Sequence, residues 1–272
     1  MYRLQQLPER MPLRRDQGGR EVEDMIITIN GIPCACEKGE FILTVARRNG
    51  IKIPTLCSHK ALGEQGACRV CIVEVEEGGK KKIVTACVYP VSRECSVETD
   101  SERVREQRGI ILALLRCRAP ESQEIRSLCE EFNAPELKRL QPLPSGKCVL
   151  CGLCVRACRS LGAGAINTML RGTEKLVGTP YDEPSPDCIG CGSCAEVCPT
   201  GHIVINETAE TRTIWGKTFT LVHCDRCGAI IGTPEELAHS AKHSSQPVPT
   251  LCEDCRKLRI TDEMAHTYGT SI

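Results

Sequence analysis

The sequence predicts an α+β protein built as a row of small modules, each held by cysteine-bound metal rather than by one deep apolar core. Three observations lead there. Of 272 residues, 21 are cysteine and only eight are aromatic, so few large side chains are available to fill a core. Most of the cysteines fall into sets of four at metal-ligand spacings. Short alternating apolar stretches, punctuated by Asn-Gly and Gly-Gly, read as hairpins flanking one helix.

The elements follow in order. Residues 1–24 carry Pro8, Pro12, Gly18, Gly19 and many charges without an apolar period, and are expected to be a disordered extension. Met25-Ile-Ile-Thr-Ile is the first strand. Asn30-Gly31 is a hairpin signal, and Ile32 to Cys36 is the return strand. Phe41 to Arg48 reads as a helix that Gly50 ends. Ile72 to Glu76 alternates, and Gly78-Gly79 turns the chain into a strand over Lys82 to Cys87. The pattern suits a small mixed sheet wrapped over one helix. Thr99 to Leu115 is the next helix, with Thr99 and Glu102 spaced as a capping box. Ser122 to Phe132 is a second. Gln141-Pro-Leu-Pro-Ser-Gly marks a boundary. After two cysteine-rich segments, Thr211 to Trp215 and Thr218 to Val222 form a hairpin turning at Gly216-Lys217, and Thr233-Pro-Glu-Glu-Leu opens a short helix.

Composition excludes several classes. With 35 basic and 35 acidic residues the formal net charge is zero, unlike the basic footprint of a nucleic-acid binder. The N-terminus has no apolar stretch to serve as a signal sequence. The longest apolar run, Ile110 to Leu115, is too short to span a bilayer. The cysteine count is odd and no secretion signal accompanies it. The chain therefore reads as a soluble, cytoplasmic protein whose thiols serve as metal ligands rather than as disulfides.

The first set is Cys57, Cys68, Cys71 and Cys87, with Gly63, Gly66 and Ala67 in its loop. Small residues let backbone amides approach sulfur, and four thiolates on one loop and a neighbouring strand suit a 2Fe–2S cluster. The second set is a doubled run: Cys148, Cys151, Cys154 and Cys158, then Cys188, Cys191, Cys194 and Cys198 before Pro199. Three closely spaced thiolates grip three corners of a 4Fe–4S cube, and the fourth cysteine of each run reaches the other cube. One cube is expected on Cys148, Cys151, Cys154 and Cys198, the other on Cys188, Cys191, Cys194 and Cys158. Gly152, Gly190 and Gly192 permit close backbone approach. Zinc prefers an isolated quartet, which the doubled run is not.

The third set is two Cys-x2-Cys knuckles, Cys224 with Cys227 and Cys252 with Cys255. Four thiolates suit structural zinc; a single iron or a third cube would accept them too. The polar stretch between the knuckles offers no apolar pocket for a cube and favours zinc. Cys34, Cys36, Cys95, Cys117 and Cys129 remain as small apolar fillers. His59 is expected to hydrogen-bond near the first set, and His239 and His243 to sit on a solvated helix face. The sequence carries no Gly-x-Gly-x-x-Gly after a strand, no Walker lysine and no nucleophile elbow, so no catalytic residue is assigned.

Cys57-Ser-His-Lys-Ala-Leu-Gly-Glu-Gln-Gly-Ala-Cys68-Arg-Val-Cys71 with Cys87, followed by the two Cys-x2-Cys-x2-Cys-x3-Cys runs, resembles a shared electron-transfer region. That region occurs in the large iron–sulfur subunit of NADH dehydrogenase, iron-only hydrogenases, the diaphorase small subunit of NAD-linked hydrogenases and NAD-linked formate dehydrogenases. The resemblance spans residues 25 to about 205. It implies a β-grasp 2Fe–2S domain over 25–98, a helical linker over 99–143 and a two-cluster 4Fe–4S ferredoxin domain over 144–208. A hairpin and zinc-ribbon-like tail over 209–272 lies beyond it. Many of these relatives carry a further His-plus-three-Cys cluster between the two domains. The Cys117 segment has no such set, so that cluster is expected to be absent.

The resemblance further implies a subunit without a catalytic site, wiring a multisubunit NAD(P)-linked oxidoreductase and open to electron bifurcation. Its partners would be a flavin-bearing, NADH-oxidising subunit, a thioredoxin-like 2Fe–2S subunit, a hydrogenase or formate dehydrogenase catalytic subunit, and soluble ferredoxin. Two other readings compete: the iron–sulfur subunit of a succinate or fumarate enzyme, whose first cysteine pair is closer than Cys57 and Cys68, and an iron–sulfur redox sensor.

Overall fold

The computed structural model describes residues 24–244 and 247–268. The expected disordered extension lies outside them except for Asp24, which opens the first strand. β1 (Asp24–Ile29) and β2 (Ile32–Glu37) pair antiparallel across Asn30 and Gly31, whose φ angles of 50° and 78° are the left-handed pair that this two-residue turn requires. α1 (Ile42–Arg48) buries Ile42, Leu43, Val45 and Ala46 against the sheet, and Asn49 caps its C-terminus. β3 (Ile72–Glu77) and β4 (Lys80–Thr85) form the second hairpin, over Gly78 and Gly79.

The sequence pattern does not reveal β5 (Ser96–Glu98), which runs parallel to β1 and antiparallel to β3. It sits in the middle of the sheet, in the order β2-β1-β5-β3-β4. Three residues with one apolar member, Val97, are too few to show a period. The edges of the two hairpins supply its hydrogen bonds.

α2 spans Glu102–Arg118. The expected capping box at Thr99 and Glu102 does not form. Ser101 is the N-cap, and its hydroxyl accepts from the Val104 N–H at 3.3 Å. Thr99 is used elsewhere: its N–H donates to Asn30 Oδ1 and its hydroxyl accepts from Asn30 Nδ2, both at 2.8 Å. This tie to the first hairpin turn outcompetes the cap. α3 (Gln123–Glu131) is capped by Ser122. The buried Arg108 joins α2 to the sheet, donating to the carbonyl oxygens of Val70 (3.0 Å), Ile72 (2.6 Å) and Thr99 (3.0 Å).

α4 (Leu153–Ser160), the short pair β6 (Asn167–Met169) and β7 (Leu176–Gly178), and α5 (Ser193–Glu196) carry the doubled cysteine run. β8 (Asn206–Glu207), β9 (Thr211–Ile214) and β10 (Lys217–Thr220) form a second sheet. The hairpin turns on Trp215 and Gly216, at φ 52° and 72°, one residue earlier than expected, so Lys217 belongs to β10. β11 (Val222–His223), β12 (Ile230–Gly232), α6 (Pro234–Ser244) and α7 (Glu253–Tyr268) complete the chain. The sequence pattern did not point to α7.

Two apolar clusters hold this together. One lies between the first sheet and α1, around Ile29, Leu43, Val75 and Val97. The other joins the Cys57–Val70 loop, α2, α3, the cysteine runs and the β9–β10 hairpin, through residues such as Leu62, Leu112, Phe132, Leu153, Ile214 and Phe219.

Candidate metal centres

Cys57, Cys68 and Cys71 lie on the loop between α1 and β3, and Cys87 follows β4; all four are buried. The Cys68 N–H points at Cys57 Sγ across 3.5 Å. The Cys68 and Cys87 thiols donate toward Cys57, which holds Cys57 far below the usual thiol range. Cys87 also bonds Cys71 and lowers it. Positive φ at Gly63, Gly66 and Arg69 bends the loop around these sulfurs. His59 accepts from the Ala61 N–H and shapes the 59–63 turn.

In the doubled run, Gly152 and Gly192 both cap their helices at φ 75°, a left-handed conformation that favours glycine. Cys198 bears electrostatically on Cys148, Cys151 and Cys154. Cys158 bears on Cys188, Cys191 and Cys194. Those last four cysteines line a small apolar cavity with Ile166, Ile214 and Trp215.

Burial pushes the thiol of Cys151 to about 11, and those of Cys154 and Cys194 to about 12. Four thiolates in such a place need a compensating positive core. Each quartet also receives amide N–H groups: Leu150 to Cys148 (3.4 Å), Ala165 to Cys158 (3.2 Å) and His202 to Cys198 (3.3 Å). Converging thiols, apolar walls and amides aimed at sulfur fit iron–sulfur clusters.

The cysteine groups adjoin: α4 reaches the Cys57 loop through Arg156, and Cys158 at its end lines one cavity with Cys188, Cys191 and Cys194. Sequence reasoning missed the residue that fixes the first junction. Arg156, on α4 between Cys154 and Cys158, donates to the carbonyl oxygens of Cys57 (3.0 Å), Leu62 (3.2 Å), Gly63 and Glu64. A Cβ on Gly152 would meet Gln65 Oε1 at 2.7 Å, so the same two surfaces are also in close contact there.

The thiol sulfurs of Cys224, Cys227, Cys252 and Cys255 lie within 4.8 Å of one another, a group able to hold a metal ion. Gly228, at φ 72°, turns the first knuckle so that the Cys224 N–H reaches the Ala229 carbonyl at 2.8 Å. Neighbouring donors, first among them the Cys252 backbone, hold the Cys224 thiol down at about 6.

His243 is exposed, as expected, but the expectation for His239 needs correction. His239 Nε2 meets the Leu161 carbonyl at 2.6 Å, and its ring lies against that of His243 and over Gly162. His239 docks α6 on the segment after Cys158. Cys34 and Cys36 pack in the first core, Cys129 bonds the Leu112 carbonyl, and Cys95 and Cys117 are half-buried.

Residues 23–102 match the 2Fe-2S iron-sulfur cluster binding domain family, and residues 147–202 the 4Fe-4S dicluster domain family. The NADPH-Fe(3+) oxidoreductase subunit alpha of Geobacter sulfurreducens is 31% identical over 225 residues, covering 74% of this chain and 26% of that protein. The NADP-reducing hydrogenase subunit HndD of Solidesulfovibrio fructosivorans is 30% identical over 237 residues, covering 74% of this chain and 39% of that protein. The mitochondrial NADH-ubiquinone oxidoreductase 78 kDa subunit of Candida albicans is 28% identical over 240 residues, covering 78% of this chain and 33% of that protein. The chain thus spans between a quarter and two fifths of the length of these relatives. In fold it is similar to a chain of the NAD+-reducing [NiFe]-hydrogenase in its H2-reduced state, with a TM-score of 0.56 and 23% identity over 65% of this chain and 85% of that one. With one 2Fe–2S domain, one 4Fe–4S dicluster domain and a tail able to chelate a metal ion, the chain is an iron–sulfur electron-transfer protein related to the iron–sulfur subunits of NADH dehydrogenases and hydrogenases.

Proposed function

We propose that this chain is the wiring subunit of an NAD(P)-linked oxidoreductase complex of hydrogenase or formate dehydrogenase type. In this reading Cys57, Cys68, Cys71 and Cys87 hold a 2Fe–2S cluster in a β-grasp domain. Cys148, Cys151, Cys154 and Cys198 hold one 4Fe–4S cluster, and Cys158, Cys188, Cys191 and Cys194 hold a second. Such clusters, when bound, take up and release single electrons. The chain's residues do the rest. The loop and helix cysteines fix the order of the sites, apolar neighbours such as Ile166 and Ile214 keep water out, and amides aimed at sulfur stabilise added negative charge. No residue of the chain is assigned to making or breaking a substrate bond.

The observation that carries the reading is that the cysteine groups adjoin in a row: Arg156 on α4 donates to the Cys57 carbonyl at 3.0 Å, and Cys158 of α4 lines one cavity with Cys188, Cys191 and Cys194. A row suits conduction between two partners. A flavin-bearing, NADH-oxidising subunit, with its thioredoxin-like 2Fe–2S companion, would dock at the first domain. A catalytic subunit or soluble ferredoxin would meet the far end, in an arrangement open to bifurcation.

The tail quartet is assigned to zinc in a zinc-ribbon-like module. A tetrahedron with metal–sulfur arms of ~2.3 Å has edges of about 3.8 Å, and Cys227 Sγ and Cys252 Sγ stand 3.7 Å apart. Thiolates on the corners of a cube are held much farther apart.

Paired substitutions test the crossed assignment. Cys148→Ala with Cys198→Ala should destroy one cube, a loss of about four irons, and leave the other with an unaltered EPR signal. Cys188→Ala with Cys198→Ala should leave neither cube unaltered. The reverse pattern would overturn the assignment. Affinity purification from the native host should bring down a flavoprotein subunit, and its absence would contradict the proposed complex.

A further inference from the structure

The geometry points to one side-chain donor for each cube: Trp215 raises the reduction potential of the cube on Cys158, Cys188, Cys191 and Cys194, and Thr200 that of the cube on Cys148, Cys151, Cys154 and Cys198. This rests on the ligand assignment above.

Trp215 Nε1–H points at Cys194 Sγ across 3.4 Å. The Thr200 hydroxyl stands 3.7 Å from Cys198 Sγ. A cysteine that ligates metal has given up its proton, so in the loaded protein the hydroxyl donates and the sulfur accepts. Reduction adds negative charge that spreads onto the sulfurs, and a donor already pointed at sulfur favours the reduced state. Both contacts lie away from bulk water, where a hydrogen bond is electrostatically stronger. Thr200 and Cys194 are buried, and Trp215 is half-buried at the wall of the cavity.

Each donor is held in place. The turn after Cys198 wraps its sulfur: the Gly201 N–H donates to the Cys198 carbonyl at 3.4 Å, and the His202 N–H reaches Cys198 Sγ at 3.3 Å. Trp215, 21 residues beyond Cys194, returns to it because the β9–β10 hairpin is seated on the cysteine loop. Arg212 of β9 donates to the Gly190 carbonyl at 2.9 Å. Lys217 of β10 donates to the carbonyls of Pro186 at 3.1 Å and Cys188 at 2.7 Å. A Cβ on Gly190 would meet Phe219 at 2.8 Å. Trp215 takes the first turn position at φ 52°, uncommon for a bulky residue, and this turn carries its ring back to Cys194.

The two donors lie on the same side of the sequence, after Cys194, yet act on different cubes. Thr200 follows the second run, but Cys198 crosses to the cube of the first. Fixed charges also differ between the sites, with Arg118 bearing on Cys148 and the Glu236 carboxylate on Cys191. Each donor is therefore compared with its own cube before and after substitution.

The test is an EPR-monitored potentiometric titration of the holoprotein with Trp215→Phe, Thr200→Val, Thr200→Ser and the double variant Trp215→Phe with Thr200→Val. The pair Cys148→Ala with Cys198→Ala, which retains the cube on Cys158, Cys188, Cys191 and Cys194, identifies the two signals. The expected result is a negative shift of that retained cube alone in Trp215→Phe, and of the other cube alone in Thr200→Val. Both should shift in the double variant and neither in Thr200→Ser, which keeps the hydroxyl. Iron content and the 2Fe–2S potential should not change. A missing shift in either single variant at full iron content overturns the inference and leaves the ligand assignment standing. So do two shifts on one cube while the paired cysteine substitutions uphold the crossed ligands. If those substitutions show uncrossed cubes, the assignment fails and the pairing of donors with cubes falls with it. Trp215 is the chain's single tryptophan, so growth on the benzothiophene analogue of tryptophan exchanges the ring N–H for sulfur at this position alone. Should Trp215→Phe lose iron, that protein decides; should Thr200→Val lose iron, Thr200→Ala decides.

Discussion

The Arg156 guanidinium donates to the Cys57 carbonyl oxygen at 3.0 Å, across a separation of 99 residues. The same side chain reaches Leu62, Gly63 and Glu64. One residue of the dicluster region thereby grips the loop that presents three cysteines of the first quartet. Replacing Arg156 with Gln removes a charged donor from several carbonyls. Each such bond contributes about 1.5–3 kcal/mol, so a loss of roughly 2–4 kcal/mol is expected in denaturant unfolding. The spin–spin coupling between the reduced 2Fe–2S centre and its neighbouring cube should weaken while iron content holds. Unchanged stability and unchanged coupling would show that the junction does not depend on this residue.

Arg108 makes the corresponding weld between α2 and the first sheet. Its guanidinium is buried and donates to three carbonyl oxygens. It also lies over the Phe132 ring, 4.8 Å from its centroid. Arg108→Leu would leave the carbonyls of Val70, Ile72 and Thr99 without this donor. The expected cost is about 3–5 kcal/mol, read as a lower denaturation midpoint and a less stable 2Fe–2S signal. A change under about 1 kcal/mol would contradict the role given to it.

Ser101 and Thr99 offer a sharper comparison. Ser101→Ala should destabilise α2 by about 1 kcal/mol through loss of its cap. Thr99→Val should weaken the tie to Asn30, not the helix start. Amide exchange at Val104 separates the two: faster in Ser101→Ala, unaltered in Thr99→Val. Faster exchange at Val104 in Thr99→Val would restore the capping-box reading.

The tail gives a metal-removal prediction. Cys252→Ser should release about one zinc per chain and lower the helical circular dichroism contributed by α6 and α7, since metal binding supplies much of the folding free energy of so small a module. The EPR signals of the three clusters should persist. Loss of about four irons together with one EPR signal would make the tail quartet a cluster site instead.

Much of this was legible in the sequence because the signals are local. Asn30-Gly31 and Gly78-Gly79 fix two hairpins through their own backbone preferences, and the spacing of the doubled cysteine run marks the 4Fe–4S dicluster region. What escaped depends on contacts distant in sequence. Val97 forms a central strand only because two hairpins leave edges on either side of it. Thr99 and Glu102 have the spacing of a cap, but Asn30, 69 residues away, claims the threonine. Arg156 looks like one more charge between cysteines until the loop it grips is folded. His239 looks solvent-facing until Leu161 meets it. Trp215 carried one available signal, being the single tryptophan, yet nothing local ties it to Cys194.

Three quartets that hold three clusters put about ten irons and about ten sulfides in one chain, with one 2Fe–2S and two 4Fe–4S signals. Anaerobic iron and acid-labile sulfide analysis, run alongside EPR of the dithionite-reduced protein, should return those counts. About four irons, or two signals instead of three, would rule the three-cluster chain out.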